Sequence, residues 1–181
     1  AINNPALWIH EDGSVFALGK DKNLRSSDGR IYCRMVTFRA DSLFGEYKPT
    51  FGMRNSLPNG YELEDPCVWY ANGQYNILVN DWKECSYLPG HPTLYYYSTD
   101  GKQLHLYTDL PVIDGSNRVE YDDGRAEKFL RMERPNVFVN EKGEVEAIMS
   151  TALKDYETTT HIIVWPVDRF YPAVNPDGEG R

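Results

Sequence analysis

A pattern that occurs three times is the feature of this sequence that most limits how the chain can fold. In each copy, two polar residues precede a proline, a short apolar run follows, and a turn with glycine leads to a second apolar run. Short apolar runs joined by such a turn are typical of β-hairpins. The prolines are Pro5, Pro66 and Pro135, and the turn glycines are Gly13, Gly73 and Gly143. The sequence therefore predicts three equivalent hairpins: NNPALWIHEDGSVFALGKD, EDPCVWYANGQYNILVND and ERPNVFVNEKGEVEAIMST.

Further strand-like runs follow each hairpin. They are RIYCRMVTFRA and a weaker run near Tyr47 in the first unit, TLYYYSTDGKQLHLYTDL in the second, and HIIVWPVD in the third. Four antiparallel strands in about 60 residues are typical of a β-propeller blade. A β-sandwich of similar strand number is the alternative, but it has no reason to repeat the proline frame. We therefore predict an all-β fold with about three β-propeller blades of four antiparallel strands, forming one propeller portion over 1–181 with units of about 3–63, 64–132 and 133–181.

Three blades do not close a ring, because propellers typically have four to eight blades. An open stack would also leave bare strand edges. We therefore expect the missing blades to come from the same protein or from another chain.

Charge and hydropathy exclude some classes of function. The net charge of -8 and the lack of a basic stripe argue against nucleic acid as a partner. No apolar run approaches the ~18–20 residues that a membrane helix needs.

The sequence contains three cysteines, Cys33, Cys67 and Cys85, without the spacing of a zinc site. Either three thiols or one disulfide and one thiol fits them.

Up-and-down blades bring the starts of the inner strands and several loops to one face. The residues expected there are Asn3, Asn4, Glu64, Asp65, Glu133 and Arg134 from strand starts, Lys20, Asp21, Asp81, Trp82, Tyr87 and His91 from loops, and Arg54, Asn55, Tyr61, Arg118 and Arg125 between blades. Carboxylates and arginines hydrogen-bond sugar hydroxyls, and aromatic rings stack on sugar C–H faces. Glycoside hydrolysis needs two carboxyl groups in different protonation states, which crowding of carboxylates provides. The sequence thus predicts a carbohydrate site on this face.

Two of the repeated motifs resemble those of five-bladed glycosidases. EDPCVW is similar to the aspartate motif, and ERPNVF to the acid motif, of glycoside hydrolase family 43 and its propeller relatives, families 32 and 117. The resemblance implies a five-bladed propeller, of which this chain would form about three blades. It also implies an inverting glycosidase that acts on a plant or algal type of polysaccharide or oligosaccharide. Asp65 would orient the acid and tune its pKa, and Glu133 would be the general acid. Asn4 stands where a further carboxylate would be needed, so the catalytic base is expected outside this chain.

The same resemblance implies other features of the protein. Relatives often hold calcium on the propeller axis, although no ligand set for it can be read from this sequence. The expected cofactor is therefore none, or calcium on the axis. We expect a secreted or periplasmic location.

Candidate substrate contacts accompany the two acids. They are His91, Trp82, Tyr87, Arg54, Arg118 and Arg134. Arg134 departs from the small residue usual in the acid motif, and we expect it to favour the ionised form of Glu133, which leaves His91 as a second candidate for the acid. Glu64 is interpreted as structural, paired with Arg54 or Arg118. His10, His105 and His161 are interpreted as structural as well.

Two other functions fit the same residues. One is a non-catalytic carbohydrate-binding propeller, and the other is a glycoside phosphorylase with a phosphate pocket of Arg54, Arg118 and Arg125. The segment Ser98–Leu104 resembles the aspartate box of sialidase propellers but lacks its tryptophan. We interpret it as a hairpin turn.

Overall fold

The computed structural model describes residues 2–25, 31–50, 63–81, 91–108, 110–141, 144–154 and 160–167. In these ranges the chain forms strands and turns without an α-helix. The strands are β1 Ile2–Ile9, β2 Val15–Arg25, β3 Ile31–Ala40, β4 Lys48–Thr50, β5 Leu63–Ala71, β6 Gln74–Asp81, β7 Thr93–Ser98, β8 His105–Leu106, β9 Arg118–Glu120, β10 Ala126–Lys128, β11 Arg131–Val139, β12 Val145–Leu153 and β13 Thr160–Pro166. Over the described ranges, no helix is long and apolar enough to cross a membrane.

The strands form consecutive antiparallel sheets in chain order. Blade one is β1–β2–β3–β4, blade two is β5–β6–β7–β8, and blade three contains β11–β12–β13. The prediction of an all-β fold made of four-stranded blades is confirmed. The boundaries of the three sequence units stay a prediction.

The turn of the inner hairpin in blade two follows the predicted turn chemistry. Asn72 and Gly73 have φ of 52° and 76°, and Ala71 pairs with Gln74 across them. Positive φ at both central residues defines a type I′ turn, which matches the twist of the two strands. The turn predicted in Ser98–Leu104 is also present, with Asp100 Oδ1 accepting hydrogen bonds from the backbone N–H groups of Lys102 and Gln103.

Blade two is buried on both faces, and this explains why its strands are almost continuously apolar. Ile77 and Val79 of β6 face a cluster shared with blade one, whereas Leu78 between them faces a cluster shared with blade three. Alternate residues of a strand point to opposite faces. The first cluster contains Phe16, Leu18, Met35, Leu63, Val68, Tyr75, Ile77, Val79, Leu94, Tyr96 and Leu104.

Blades one and three each have a second, less covered face. On blade three, Phe138, Ile162 and Val164 are 54%, 72% and 56% exposed. On blade one, Leu7 and Ile9 are 44% and 45% exposed. The two ends of this stack of sheets are therefore partly apolar.

Some local expectations were wrong. Lys20 and Asp21 lie within β2 rather than in the loop after it. The two polar residues before each proline lie inside the first strand, since β1, β5 and β11 begin before them. The β9–β10 hairpin was not predicted. Of the cysteines, Cys67 is a buried free thiol, and the side chains of Cys33 and Cys85 lie outside the described residues.

Candidate functional site

Each of the three blade openings contains a β-bulge at its proline. The strand register shifts between Asn3 and Ala6, between Glu64 and Cys67, and between Glu133 and Asn136. The residue directly before each proline has a left-handed backbone, with φ of 48° at Asn4, 50° at Asp65 and 56° at Arg134. This conformation costs an L-residue roughly 1–2 kcal/mol and is further disfavoured before proline. Bulges and strained residues of this kind are enriched beside functional sites, where they redirect side chains.

The bulges bring charged side chains of three blades together. We call the group the opening cluster; it consists of Asn4, Lys20, Glu64, Asp65, Arg131, Glu133 and Arg134. Arg134 Nε, one residue after Glu133, lies 3.8 Å from Asp65 Oδ2, so the openings of blades two and three are in contact. The approach of the Asp65 and Glu133 carboxyls to one another stays a prediction.

Asp65 is held on two sides. Asn4 Nδ2 donates a hydrogen bond to Asp65 Oδ1, and Arg134 pairs with Oδ2. Burial raises the pKa of Asp65, and the neighbouring charge of Glu64 raises it further, against the opposite effects of Arg134 and Asn4. Asp65 is thus a positioned carboxyl whose ionised form is disfavoured by its surroundings.

Glu133 is another mostly buried carboxyl of the opening cluster, with its side chain 20% exposed. Its Oε1 is buried and accepts no hydrogen bond from a described residue, while Arg131 Nε lies 3.1 Å away as a charge partner. Burial raises the pKa of Glu133; Arg131 lowers it, and the charges of Asp65 and Glu64 raise it. The charge of Asp65 therefore reaches Glu133, and both carboxyls favour the protonated form more than a free side chain does.

Arg134 was expected to favour the ionised form of Glu133, and its charge does lower the pKa of Glu133, although its guanidinium pairs with Asp65 and the ion-pair partner of Glu133 is Arg131. Glu64 was expected to pair with a basic residue such as Arg54 or Arg118, and it forms an ion pair with Lys20 of blade one. Lys20 is buried, and its position in the strand opposite Asn3 places it beside the cluster.

The other candidate contacts are placed less centrally. His91 lies beside the end of β6, with Nδ1 3.3 Å from the backbone oxygen of Asp81. Arg118 belongs to the β9–β10 hairpin, where it pairs with Glu120 at an exposed position. Arg54, Trp82 and Tyr87 lie outside the described residues, so their contribution to the site stays a prediction.

A cavity of about 1410 Å³ lies at the opposite end of the blades. It is lined by the turns of all three inner hairpins, including His10, Asn72 and Glu144. The turn residue Asn72 and the cluster residue Glu64 lie at opposite ends of β5, so this cavity is separate from the opening cluster. His10 has the predicted structural role there, with Nε2 2.8 Å from the hydroxyl of Tyr75.

The expected calcium ion has no ligand set in the described part of the chain. No group of three or more His, Cys, Asp or Glu side chains there could hold a metal ion. The carboxylates of the opening cluster instead contact Lys20, Arg131 and Arg134, and calcium needs six to eight oxygen ligands. These residues do not fit the ion.

No protein-family model and no curated protein sequence matches the chain. Solved structures do match it. An exo-β-1,3-galactanase from Clostridium thermocellum is 19% identical, with a TM-score of 0.57, and the match covers 92% of this chain and 35% of the galactanase chain. A family 117 glycoside hydrolase from Zobellia galactanivorans is 13% identical with a TM-score of 0.54, covering 91% and 43%. A family 32 β-fructofuranosidase from Bombyx mori is 13% identical with a TM-score of 0.57, covering 88% and 32%.

These neighbours define the class of fold. They are glycoside hydrolases, and families 43, 32 and 117, whose motifs the sequence resembles, are all represented among the matched structures. The resemblance is therefore confirmed at the level of the fold, which is that of the β-propeller glycosidases. This chain spans about a third to less than half of the three matched structures. Identities of this size establish the fold alone.

Proposed function

We propose that this chain supplies the acid side of the active site of an inverting glycoside hydrolase, which acts on a plant or algal type of polysaccharide or oligosaccharide and whose catalytic base lies outside this chain. The observation that carries the proposal is the pair of mostly buried carboxyls Asp65 and Glu133 at two neighbouring blade openings, whose side chains are 9% and 20% exposed. Inverting hydrolysis needs a protonated carboxyl group as the acid and an ionised one as the base, and this chain is proposed to supply the acid.

Glu133 is the proposed general acid. Its burial and the charge of Asp65 favour the protonated form, so it can donate its proton to the glycosidic oxygen as the bond to the sugar breaks. Asp65, fixed by Asn4 and Arg134, keeps that proton on Glu133 and orients the acid. The base that removes a proton from the attacking water is an additional carboxylate, because the amide of Asn4 cannot serve as one.

Hydrolysis of a panel of arabinan, xylan, galactan and fructan oligosaccharides by the intact protein tests this proposal. We expect at least one of them to release a reducing sugar whose first observed anomer by ¹H NMR is inverted relative to the substrate. Retention of configuration would contradict the inverting mechanism. Binding of an oligosaccharide without release of any sugar would contradict the proposed hydrolase activity.

A non-catalytic carbohydrate-binding propeller is the second candidate. Asn4 favours it, because it places an amide at the blade opening where a carboxylate would complete the catalytic set. Isothermal titration with the same panel separates the two functions, since a binding module binds an oligosaccharide that it leaves intact.

We infer that further blades cover the outer faces of blades one and three. The faces concerned are apolar, and Phe138, Ile162 and Val164 are more than half exposed on one of them. A blade packs face to face on its neighbour in the way blade two packs on both sides, so another β-sheet is the partner these faces fit.

Ile162→Asp tests this inference in the intact protein. If a blade covers Ile162, an unpaired charge would be buried, and the free energy of unfolding should fall by more than about 2 kcal/mol. Leu110→Asp is the matched control, because Leu110 is 71% exposed and lies in a loop of blade two. Equal, small effects of both variants would contradict a covering blade, as would sedimentation of the intact protein as a 20.8 kDa monomer.

A further inference from the structure

The cavity at the turn end of the blades is lined by two side chains whose binding groups the fold leaves largely unused. Trp8 of β1 and Arg39 of β3 are both half-buried there. Trp8 packs against the buried clusters on both sides of blade two, but its indole forms no hydrogen bond or ring contact with another described residue. The Arg39 guanidinium pairs with no described carboxylate and donates a hydrogen bond to the hydroxyl of Tyr75.

The wall behind Arg39 is a fixed group of rings. Tyr75 stacks on Phe16 with their ring centroids 3.9 Å apart, and the guanidinium carbon of Arg39 lies 4.8 Å from the centroid of Tyr75. Tyr70 lies 4.9 Å from Tyr75, and His10 packs edge-on against both tyrosines. Rings and hydrogen bonds that are in place before a ligand arrives lower the entropic cost of binding.

The charges around the cavity limit which ligand it can take. The acidic side chains that line it are Glu11, Asp12, Glu141 and Glu144, from the turns of blades one and three. They outnumber the guanidinium of Arg39, so an anion such as phosphate or an acidic sugar is disfavoured. The amides of Asn72 and Asn140 also line the cavity and add neutral donors and acceptors. A neutral ligand rich in hydroxyl groups fits this set.

We propose that this cavity is a second carbohydrate-binding site, which takes a neutral oligosaccharide. Trp8 is the ring on which the C–H face of a sugar stacks, and Arg39 donates hydrogen bonds to its hydroxyls. The volume of about 1410 Å³ exceeds the ~300–1,000 Å³ of ordinary small-molecule pockets, so linked sugars fit it better than a single one. It lies roughly 20 Å from the opening cluster along β5, so binding there needs no catalysis and goes beyond the proposed function.

The indole N–H signal of Trp8 reports directly on this site. The intact protein is labelled with ¹⁵N-tryptophan, the signal is assigned by its loss in Trp8→Leu, and arabinan, xylan, galactan and fructan oligosaccharides are added in turn. We expect at least one of them to shift the Trp8 signal saturably. The signal of Trp165, which lies on β13 outside the cavity, should not move. A Trp8 signal that no oligosaccharide moves, or that only inorganic phosphate moves, would overturn the proposal.

Trp8→Leu tests the stacking ring by its effect on affinity. The variant keeps an apolar side chain against both clusters and removes the ring face. Titration calorimetry uses the oligosaccharide that shifts the Trp8 signal, in a Glu133→Gln background that slows its hydrolysis. The binding event whose affinity matches the shift should weaken by roughly tenfold or more. Arg39→Lys should also weaken it, because lysine keeps the charge but lacks the planar set of N–H donors.

Trp165→Leu is the matched control for the loss of a tryptophan. Trp165 is also half-buried and does not line the cavity, so the variant should bind with unchanged affinity. Equal affinities of Trp8→Leu and Trp165→Leu would show that the oligosaccharide does not stack on Trp8, and would overturn the proposal.

The same experiments distinguish failure of this site from failure of the proposed hydrolase. Hydrolysis of the panel with no shift of the Trp8 signal would keep the hydrolase and reject the second site. A Trp8 signal shifted by an oligosaccharide, with none of the panel hydrolysed, would keep the second site and reject the hydrolase.

Discussion

Glu133→Gln is expected to lower the hydrolysis rate of natural glycosides by about 10²–10⁴-fold, the usual contribution of a general acid. Glutamine has nearly the shape of glutamate and keeps an oxygen atom beside Arg131, but it has no acidic proton to give to the leaving oxygen. Substrate affinity should change little, because the lost interaction acts in the transition state. The measurement is kcat and KM on the natural substrate.

Leaving-group ability provides the sharper control for this variant. The phenolate of an aryl glycoside with an acidic phenol leaves without being protonated. Hydrolysis of such a glycoside by Glu133→Gln should therefore be much less impaired than hydrolysis of an unactivated sugar. Glu127→Gln on the exposed hairpin should behave like the unmodified protein on both substrates. Equal loss on the two substrates, or a natural rate within a factor of three of normal, would show that Glu133 is not the acid.

Leu78→Ala is expected to cost about 2–5 kcal/mol of unfolding free energy, the range for truncating a buried leucine. Leu78 is 1% exposed at the centre of blade two, between Cys67 of β5 and Tyr95 of β7. Its cluster joins blade two to blade three, so the cavity would weaken both a sheet and an interface. Denaturant unfolding, read as a lower midpoint at unchanged slope, measures the effect.

Leu110→Ala is the matched control, since Leu110 is 71% exposed. Its cost should stay within about 0.5 kcal/mol. If both leucines cost the same, the assignment of the core to the faces of blade two would be wrong.

Much of the fold was predictable because the proline and glycine positions recur at nearly constant spacing. Asn72-Gly73 specifies its turn locally, and blade two has apolar residues on both faces of its strands. The β9–β10 hairpin was missed for the opposite reason. Its strands are three residues each and largely charged, so neither shows the alternation that predicts a strand.

The candidate site was predictable in outline but not in its contacts. Equivalent positions in neighbouring blades lie side by side, and this placed Asp65 beside the strand opening that carries Glu133 and Arg134. The ion pairs were not predictable from the sequence. Lys20 and Glu64 belong to different sheets, and a long charged side chain can reach several partners of opposite charge. Lys20 was assigned to a loop, whereas β2 continues past it and buries it.

The left-handed residue before each proline has a consequence for how such a protein can diverge. An amide, a carboxylate and a guanidinium occupy the same backbone position in Asn4, Asp65 and Arg134. The bulge accepts all three, so a substitution at one of these positions, such as the single-nucleotide exchange of Asn and Asp, can replace a reactive group while the strand pairing stays the same. The backbone of the blade opening can therefore stay the same while the functional group that it presents changes. New specificities can arise in this way without a change of fold.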